Sequence, residues 1–281
     1  MTWEELDWNV LDRLRDRFLN GPGQGGSYWT DRRDLANYDF TYAQRIGWKW
    51  DAVLLELKQL GWTPPKGVWL DWGCGSGVAS RCVLDVFGTE ACTQLQVFDQ
   101  STSAMHFAVE RARSRFSELS VEAVKDGAVA FSEAPGLLII SHVLNELSPE
   151  AQAALRQAID RASAVIWVEP GTHEVSRALG GWRGTLTDRF DVVAPCTHAA
   201  ACGALVAGRE KDWCHFFADP PAGVLGDPGW VRFARMAGID LRSLPFSYLV
   251  LEKKGLRAAD GRMSTTGWSR VLGRPRIYKA W

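Results

Sequence analysis

VWLDWGCGSG, residues 68–77, is where the fold of this chain is decided. VWLDW (68–72) is a short apolar run that reads as a buried strand, and it breaks at once into glycines on alternate positions, Gly73, Gly75 and Gly77. Alternating glycines let a chain turn sharply and let its backbone approach a ligand with no Cβ in the way. A helix over 78–87 follows. Strands and helices then alternate: LQVFD (95–99) and a helix over 101–119, a weak strand VEAV (121–124), LLIISHVL (137–144) and a helix over 149–162, then VIWVEP (165–170) and a helix near 172–180. Continuous apolar strands separated by helices describe a doubly wound, mostly parallel α/β sheet covered on both faces. FSYLVLEKK (246–254) reads as a late strand that closes the sheet.

The composition fits a soluble chain of this kind. Of 281 residues, 32 are Lys or Arg and 33 are Asp or Glu, so the overall charge does not itself point to nucleic acid, and local patches must be weighed instead. MTWEELDWNVLDRLRDRF at the start is acidic and amphipathic, not a basic-then-apolar leader, and no apolar run reaches the ~18 residues of a membrane span. A cytoplasmic location and no membrane partner are expected. Several of the 14 tryptophans stand in polar surroundings (Trp29, Trp48, Trp50, Trp62), and burial in the core is the expected use for most.

A dinucleotide fingerprint needs its third glycine one residue later, where Val78 stands, and there is no P-loop lysine. G-x-G-x-G, with an acid two residues before the first glycine, resembles the motif of class I S-adenosylmethionine-dependent methyltransferases, a Rossmann-like fold. The resemblance implies that Asp71 helps hold the methionine end, and that Asp99, at the end of the second strand beside Gln100, accepts hydrogen bonds from the ribose hydroxyls. SHVLNEL (141–147), after the fourth strand, then lines the methyl-donor and acceptor pocket, with His142 on the cofactor. Methyl transfer is mostly positioning, plus removal of a proton where the acceptor needs it. Asn145 and Glu146 are the polar candidates for that step, and equally the first turn of the following helix. The Asn/Asp-Pro-Pro-Tyr signature of amino-methylating enzymes acting on bases is absent, and Cys196 comes too late in the chain for a cytosine C5 nucleophile.

The segment 182–245 is too long for an ordinary connection and is expected to hold its own small structure. APCTHAAAC (194–202) and DWCHF (212–216) place Cys196, Cys202, Cys214, His198 and His215 within a short span. In a reducing compartment such a set reads as ligands for zinc or an iron–sulfur cluster before it reads as a disulfide framework, with isolated buried thiols the other reading.

VEPGT (168–172), VVAPCTH (192–198), DWCHF and FSYLVL (246–251), together with YDFTYAQR (38–45), LDWGCGSG, SHVLNEL and RVLGRPRIYK (270–279), resemble the methyltransferase-like family of small-ribosomal-subunit proteins of mitochondria and bacteria, over residues 35–279. The resemblance implies a role in small-subunit assembly and, in some members, a [4Fe–4S] cluster on four cysteines. Cys196, Cys202 and Cys214 match three of them; the fourth, beyond the RPR stretch, has no counterpart here, which leaves an iron that is open or bound by His215 or His198, zinc in place of the cluster, or a vestigial site. The tail carries Lys253, Lys254, Arg257, Arg262, Arg270, Arg274, Arg276 and Lys279 against Asp260, a pattern suited to rRNA phosphates.

The expected organisation is an N-terminal helical region (1–62), a cofactor-binding core (63–181), a Cys/His-rich metal-binding insertion (182–245), a closing strand (246–255) and a basic tail (256–281). The expected function is a ribosome-associated methyltransferase-like protein that binds S-adenosylmethionine and small-subunit rRNA. A non-catalytic assembly factor docking through its cluster and a small-molecule methyltransferase are the alternatives.

Overall fold

The structure, a computed structural model, describes residues 1–20, 29–125, 136–256 and 267–268. Its elements run α1 (Trp8–Asn20), α2 (Arg32–Phe40), α3 (Tyr42–Gln59), β1 (Gly67–Trp72), α4 (Val78–Phe87), β2 (Cys92–Phe98), α5 (Thr102–Arg115), β3 (Val121–Ala123), β4 (Leu137–Ser141), α6 (Pro149–Arg161), β5 (Ala164–Pro170), α7 (His173–Leu186), β6 (Phe190–Ala194), β7 (Phe216–Ala218), α8 (Pro228–Ala237) and β8 (Leu244–Lys253). Several helix starts are written locally. Ser148 and Asp227 each precede a proline, and their side chains accept from Ala151 N and Trp230 N. Proline costs nothing at a first helical position, where its missing N–H has no partner to lose.

The sheet order is β3-β2-β1-β4-β5-β8-β6, with β7 also on β8. β1 to β5 are parallel, and β8 runs antiparallel between β5 and the pair β6 and β7. This is a doubly wound sheet whose strand order reverses between β1 and β4, the arrangement expected from the glycine stretch. Alternate residues of each strand serve opposite faces. Trp69, Leu95, Ile139 and Ile166 pack under α3, α4 and α5, while Leu70, Trp72, Leu138, Val165 and Trp167 pack under α6 and α7.

The expected N-terminal region does not stand apart. Trp50, Val53, Leu54 and Leu57 of α3, with Trp48 and Trp62, belong to the same buried cluster as the strands, so α3 is one of the helices covering the sheet. Three of the four tryptophans in polar surroundings are therefore core. The segment 182–245 is not an independent insertion either. β6 pairs with the last residues of β8 (Phe190↔Lys253) and β7 with its first (Phe216↔Phe246), so the two lie along one edge of β8 as halves of a single interrupted strand. Unpaired strand edges are costly, and this edge recruits residues that the sequence presented as irregular. The cysteine-bearing residues 195–215 are the excursion between the halves. The basic residues from Arg257 to Lys279 lie outside the described residues.

Candidate functional site

Open α/β sheets bind ligands at the carboxyl ends of the strands, where the order reverses. Here that point lies between β1 and β4, and the glycine loop fills it. All three glycines are left-handed, with φ of 72°, 50° and 76° at Gly73, Gly75 and Gly77. A Cβ on Gly73 would stand 2.6 Å from Val143 Cγ1, and one on Gly77 2.9 Å from Ala108 Cβ, so these two are glycine for close packing. A Cβ on Gly75 would meet nothing within 4 Å. Its φ and that open space mark the stretch of loop that faces a ligand. Gly73 N and Cys74 N donate to Phe98 O at 2.8 and 2.9 Å, which pins the loop to the end of β2.

Asp99 follows directly. Its Oδ2 accepts from Gly75 N at 2.9 Å and its Oδ1 from Ser101 N at 2.8 Å. A carboxylate offers about four lone-pair sites, so two remain for ligand hydroxyls. Burial holds its carboxyl above the usual range. Gln100, next to it, is exposed. Asp71 sits beneath the loop with none of its surface exposed. Its Oδ2 accepts from Ser80 Oγ at 2.6 Å, tying β1 to α4, while Oδ1 has no partner; burial pushes the carboxyl up to about 6. Arg81, on α4, donates to Ser76 O at 2.6 Å and to Asp39 Oδ1 at 2.5 Å, so the N-terminal helices brace the loop from behind.

After β4 the chain turns abruptly. His142 has φ 56°, the one non-glycine positive φ among the described residues, and it ends the strand three residues before the expected Leu144. Such strain persists only where the surroundings hold it. Here Glu169, at the end of β5, does so: its Oε1 accepts from Trp167 Nε1 (2.7 Å), Val143 N (3.1 Å) and Leu144 N (3.3 Å). Glu169 is fully buried, its Oε2 has no partner, and burial pushes its carboxyl up to about 7. The His142 ring bridges two groups, with Nε2 3.2 Å from Lys49 Nζ and Nδ1 3.2 Å from Ser141 Oγ, which also accepts from Trp50 Nε1 at 3.0 Å.

The expected site residues therefore divide. Gly73, Gly75, Gly77, Asp71 and Asp99 gather at the carboxyl ends of β1 and β2, His142 follows the neighbouring β4, and Gln100 is exposed beside Asp99. Asn145 and Glu146 are exposed, the backbone N–H of Glu146 closes a turn on Val143 O ahead of α6, and the Glu146 charge acts on Glu169. Lys49 and Glu169 lie beside this stretch without having been expected there, whereas Ser141 belongs to the expected 141–147 pocket stretch. A lysine between two buried tryptophans in GWKW, and a glutamate ending the apolar run VIWVE, are each a charge on a core face, which was the available signal.

Among the described residues no three His, Cys, Asp or Glu side chains are placed to hold a metal ion, and none of the six cysteines is in a disulfide. His215, expected as a ligand, instead stacks on Trp213 at 4.8 Å and 19°. The excursion is held by two arginines of α7. Arg183 donates to His198 O (2.6 Å) and Ala200 O (3.0 Å), and Arg177 to Ala204 O (2.8 Å), Arg209 O (3.1 Å) and Asp212 O (2.7 Å). Guanidinium–carbonyl bonds thus tie the excursion to α7.

A family model described as mitochondrial small ribosomal subunit Rsm22 matches residues 42–280. The chain belongs to this family. It is a methyltransferase-like protein related to the ribosome, the family that its motifs resemble. No curated protein matches it. Solved structures similar to it include the N-methyltransferase NodS from Bradyrhizobium japonicum WM9 in complex with S-adenosyl-L-homocysteine, at 13% identity and TM-score 0.42 over 88% of this chain and 99% of that one. Another is the magnesium protoporphyrin IX methyltransferase ChlM from Synechocystis PCC 6803 with bound S-adenosylmethionine, at 14% identity and TM-score 0.42 over 88% and 97%.

Proposed function

We propose that this Rsm22-family chain binds S-adenosylmethionine in the cleft between the glycine loop and Asp99 and methylates rRNA of the small ribosomal subunit. The observation that carries the reading is the open face of Gly75 beside an Asp99 carboxylate with acceptor capacity to spare. The residues fit the cofactor: Gly75 would give backbone approach, and Asp99 would accept from ribose hydroxyls. When bound, the cofactor supplies a methyl group activated on a sulfonium. The chain's own part is to orient it, to exclude water with the Val143 turn packed on Gly73, and to receive a proton where the acceptor sheds one. Family membership supports the rRNA partner, and the basic tail supplies cations suited to phosphates. A cytoplasmic site of action is part of the proposal.

The exposure of Asn145 and Glu146 favours a second reading, a non-catalytic assembly factor that uses the cofactor cleft only to bind. A [4Fe–4S] cluster or zinc on Cys196, Cys202, Cys214 and His215 does not fit the side chains as they are placed, and no step is routed through one. Iron, sulfide and zinc analysis of protein purified without oxygen is the measurement that bears on it. Calorimetry with S-adenosylmethionine and S-adenosylhomocysteine tests the cleft, and absence of binding sinks both readings. Co-sedimentation with small subunits tests the partner, and radiolabelled methyl incorporation into rRNA separates enzyme from scaffold.

A further inference from the structure

The carboxyl ends of β4 and β5 carry a hydrogen-bonded chain that cofactor binding leaves without a role: Trp50 Nε1 to Ser141 Oγ, Ser141 Oγ to His142 Nδ1, and His142 Nε2 to Lys49 Nζ. It runs from the core to the wall of the cleft. β4 lies beside β1, with Ile140 opposite Trp72, so Ser141 and His142 stand level with the first residues of the glycine loop. The close approach of Gly73 to Val143 confirms that proximity from the other side. We propose that Lys49 is the group that takes the proton from an N–H or O–H methyl acceptor, with His142 and Ser141 orienting its Nζ. The proposal rests on the methyl-transfer reading above.

The step balances with the chain's own groups and the sulfonium donor. The acceptor's lone pair forms a bond to the methyl carbon, the carbon–sulfur bond breaks and leaves its electron pair on sulfur, and the hydrogen on the acceptor passes to Nζ. An ammonium can only donate, so His142 Nε2 then accepts from Lys49 and His142 Nδ1 donates to Ser141 Oγ. The step needs one tautomer throughout: with Nδ1–H on Ser141 Oγ, Nε2 accepts an N–H of Lys49 both before and after the transfer, so no ring proton moves, and the turn at His142 places the ring between the two groups.

The surroundings keep Lys49 ready for this. Burial, aided by Arg45 one turn earlier on α3, brings Lys49 down to about 7, against the opposing pull of Glu169 on β5. Burial, and after it Lys49, hold His142 well below its usual range, so the ring stays neutral and able to accept. Arg45 is itself faced by Tyr42 and Asp240. A base poised near neutrality combines the right protonation state with driving force for transfer.

The test uses the full-length protein, radiolabelled S-adenosylmethionine and rRNA from small subunits of a strain lacking the gene, under single-turnover conditions from pH 6 to 9. The wild-type rate is expected to rise with pH and level off above an inflection near 7. Lys49→Met and Lys49→Arg should each lose about a hundredfold or more in rate, the range for a lost general base, with calorimetric affinity for S-adenosylhomocysteine unchanged. Arginine keeps the bulk and the bond to His142 but accepts no proton. If Lys49→Arg works as well as the wild type, or the wild-type profile is flat, Lys49 is structural and the inference is overturned while methyl transfer stands. If the wild type labels no rRNA at any pH, the methyl-transfer reading falls and this inference falls with it.

Discussion

Asp99 is asked to do two things at once, to hold the loop through Gly75 N and Ser101 N and to receive a nucleoside. Asp99→Ala should weaken S-adenosylhomocysteine binding by on the order of 1.5–3 kcal/mol, the range for a hydrogen bond to a charged group, measured by calorimetry. Unchanged affinity would place the ribose elsewhere. Glu169 leads to a pH dependence. Its carboxyl titrates at about 7 in the folded chain against 4.5 for an ordinary glutamate. Between those values the folded chain holds a proton that the unfolded chain has released, so its contribution to stability falls as pH rises from 4.5 to 7, by up to about 3 kcal/mol. Glu169→Gln removes that term. The stability of the wild type relative to the variant, from urea midpoints, should therefore decline across this window; a constant difference would refute the assignment.

At the scale of elements, legibility followed the length and purity of the local pattern. The 78–87 helix and the strands β1 and β5 were readable because their apolar periodicity and glycine punctuation are set by neighbours in sequence. β4 was read three residues too long because SHVL continues an apolar run; what stops it is the His142 turn, held by Glu169 from another strand, which no local pattern announces. β6 and β7 were missed for the same reason, since VVA and FFA become strands only because β8 offers them an edge. At the candidate site, the glycines and Asp99 were legible as a motif, whereas Lys49, in contact with His142, comes from a helix well before the motif begins. The brace behind the loop is likewise long-range. Asp39, at the end of α2, is buried against Arg81 and also pairs with Arg111 of α5 at 3.1 Å. Asp39→Ala leaves a buried guanidinium without its carboxylate, and such losses cost roughly 3–5 kcal/mol. A fall in melting temperature on the order of 10 °C is expected, with weaker cofactor binding because Arg81 also holds Ser76 O. A variant that melts like the wild type would show the pair to be dispensable.

For the whole molecule, the decisive feature is the place of β8. It inserts between β5 and the β6–β7 edge, and its residues Tyr248, Leu249, Val250 and Leu251 are each at most 3% exposed. A chain ending at residue 243 keeps all five parallel strands and most of the helices, yet it should not melt cooperatively and should bind hydrophobic dyes. A soluble, cooperatively melting fragment would contradict the central role of β8. The same placement bears on birth as well as on stability. As the polypeptide is synthesised from its N-terminus, β5 emerges long before the strand that covers it, and for that interval the nascent sheet presents a bare, apolar edge to the crowded cell. A methyltransferase-like protein related to the ribosome is thus itself a demanding product of one, its sheet closed only when β8, the last strand among the described residues, is delivered. Slowing translation between residues 170 and 244 should lengthen that vulnerable interval and lower the yield of folded protein without changing a single contact in the finished fold.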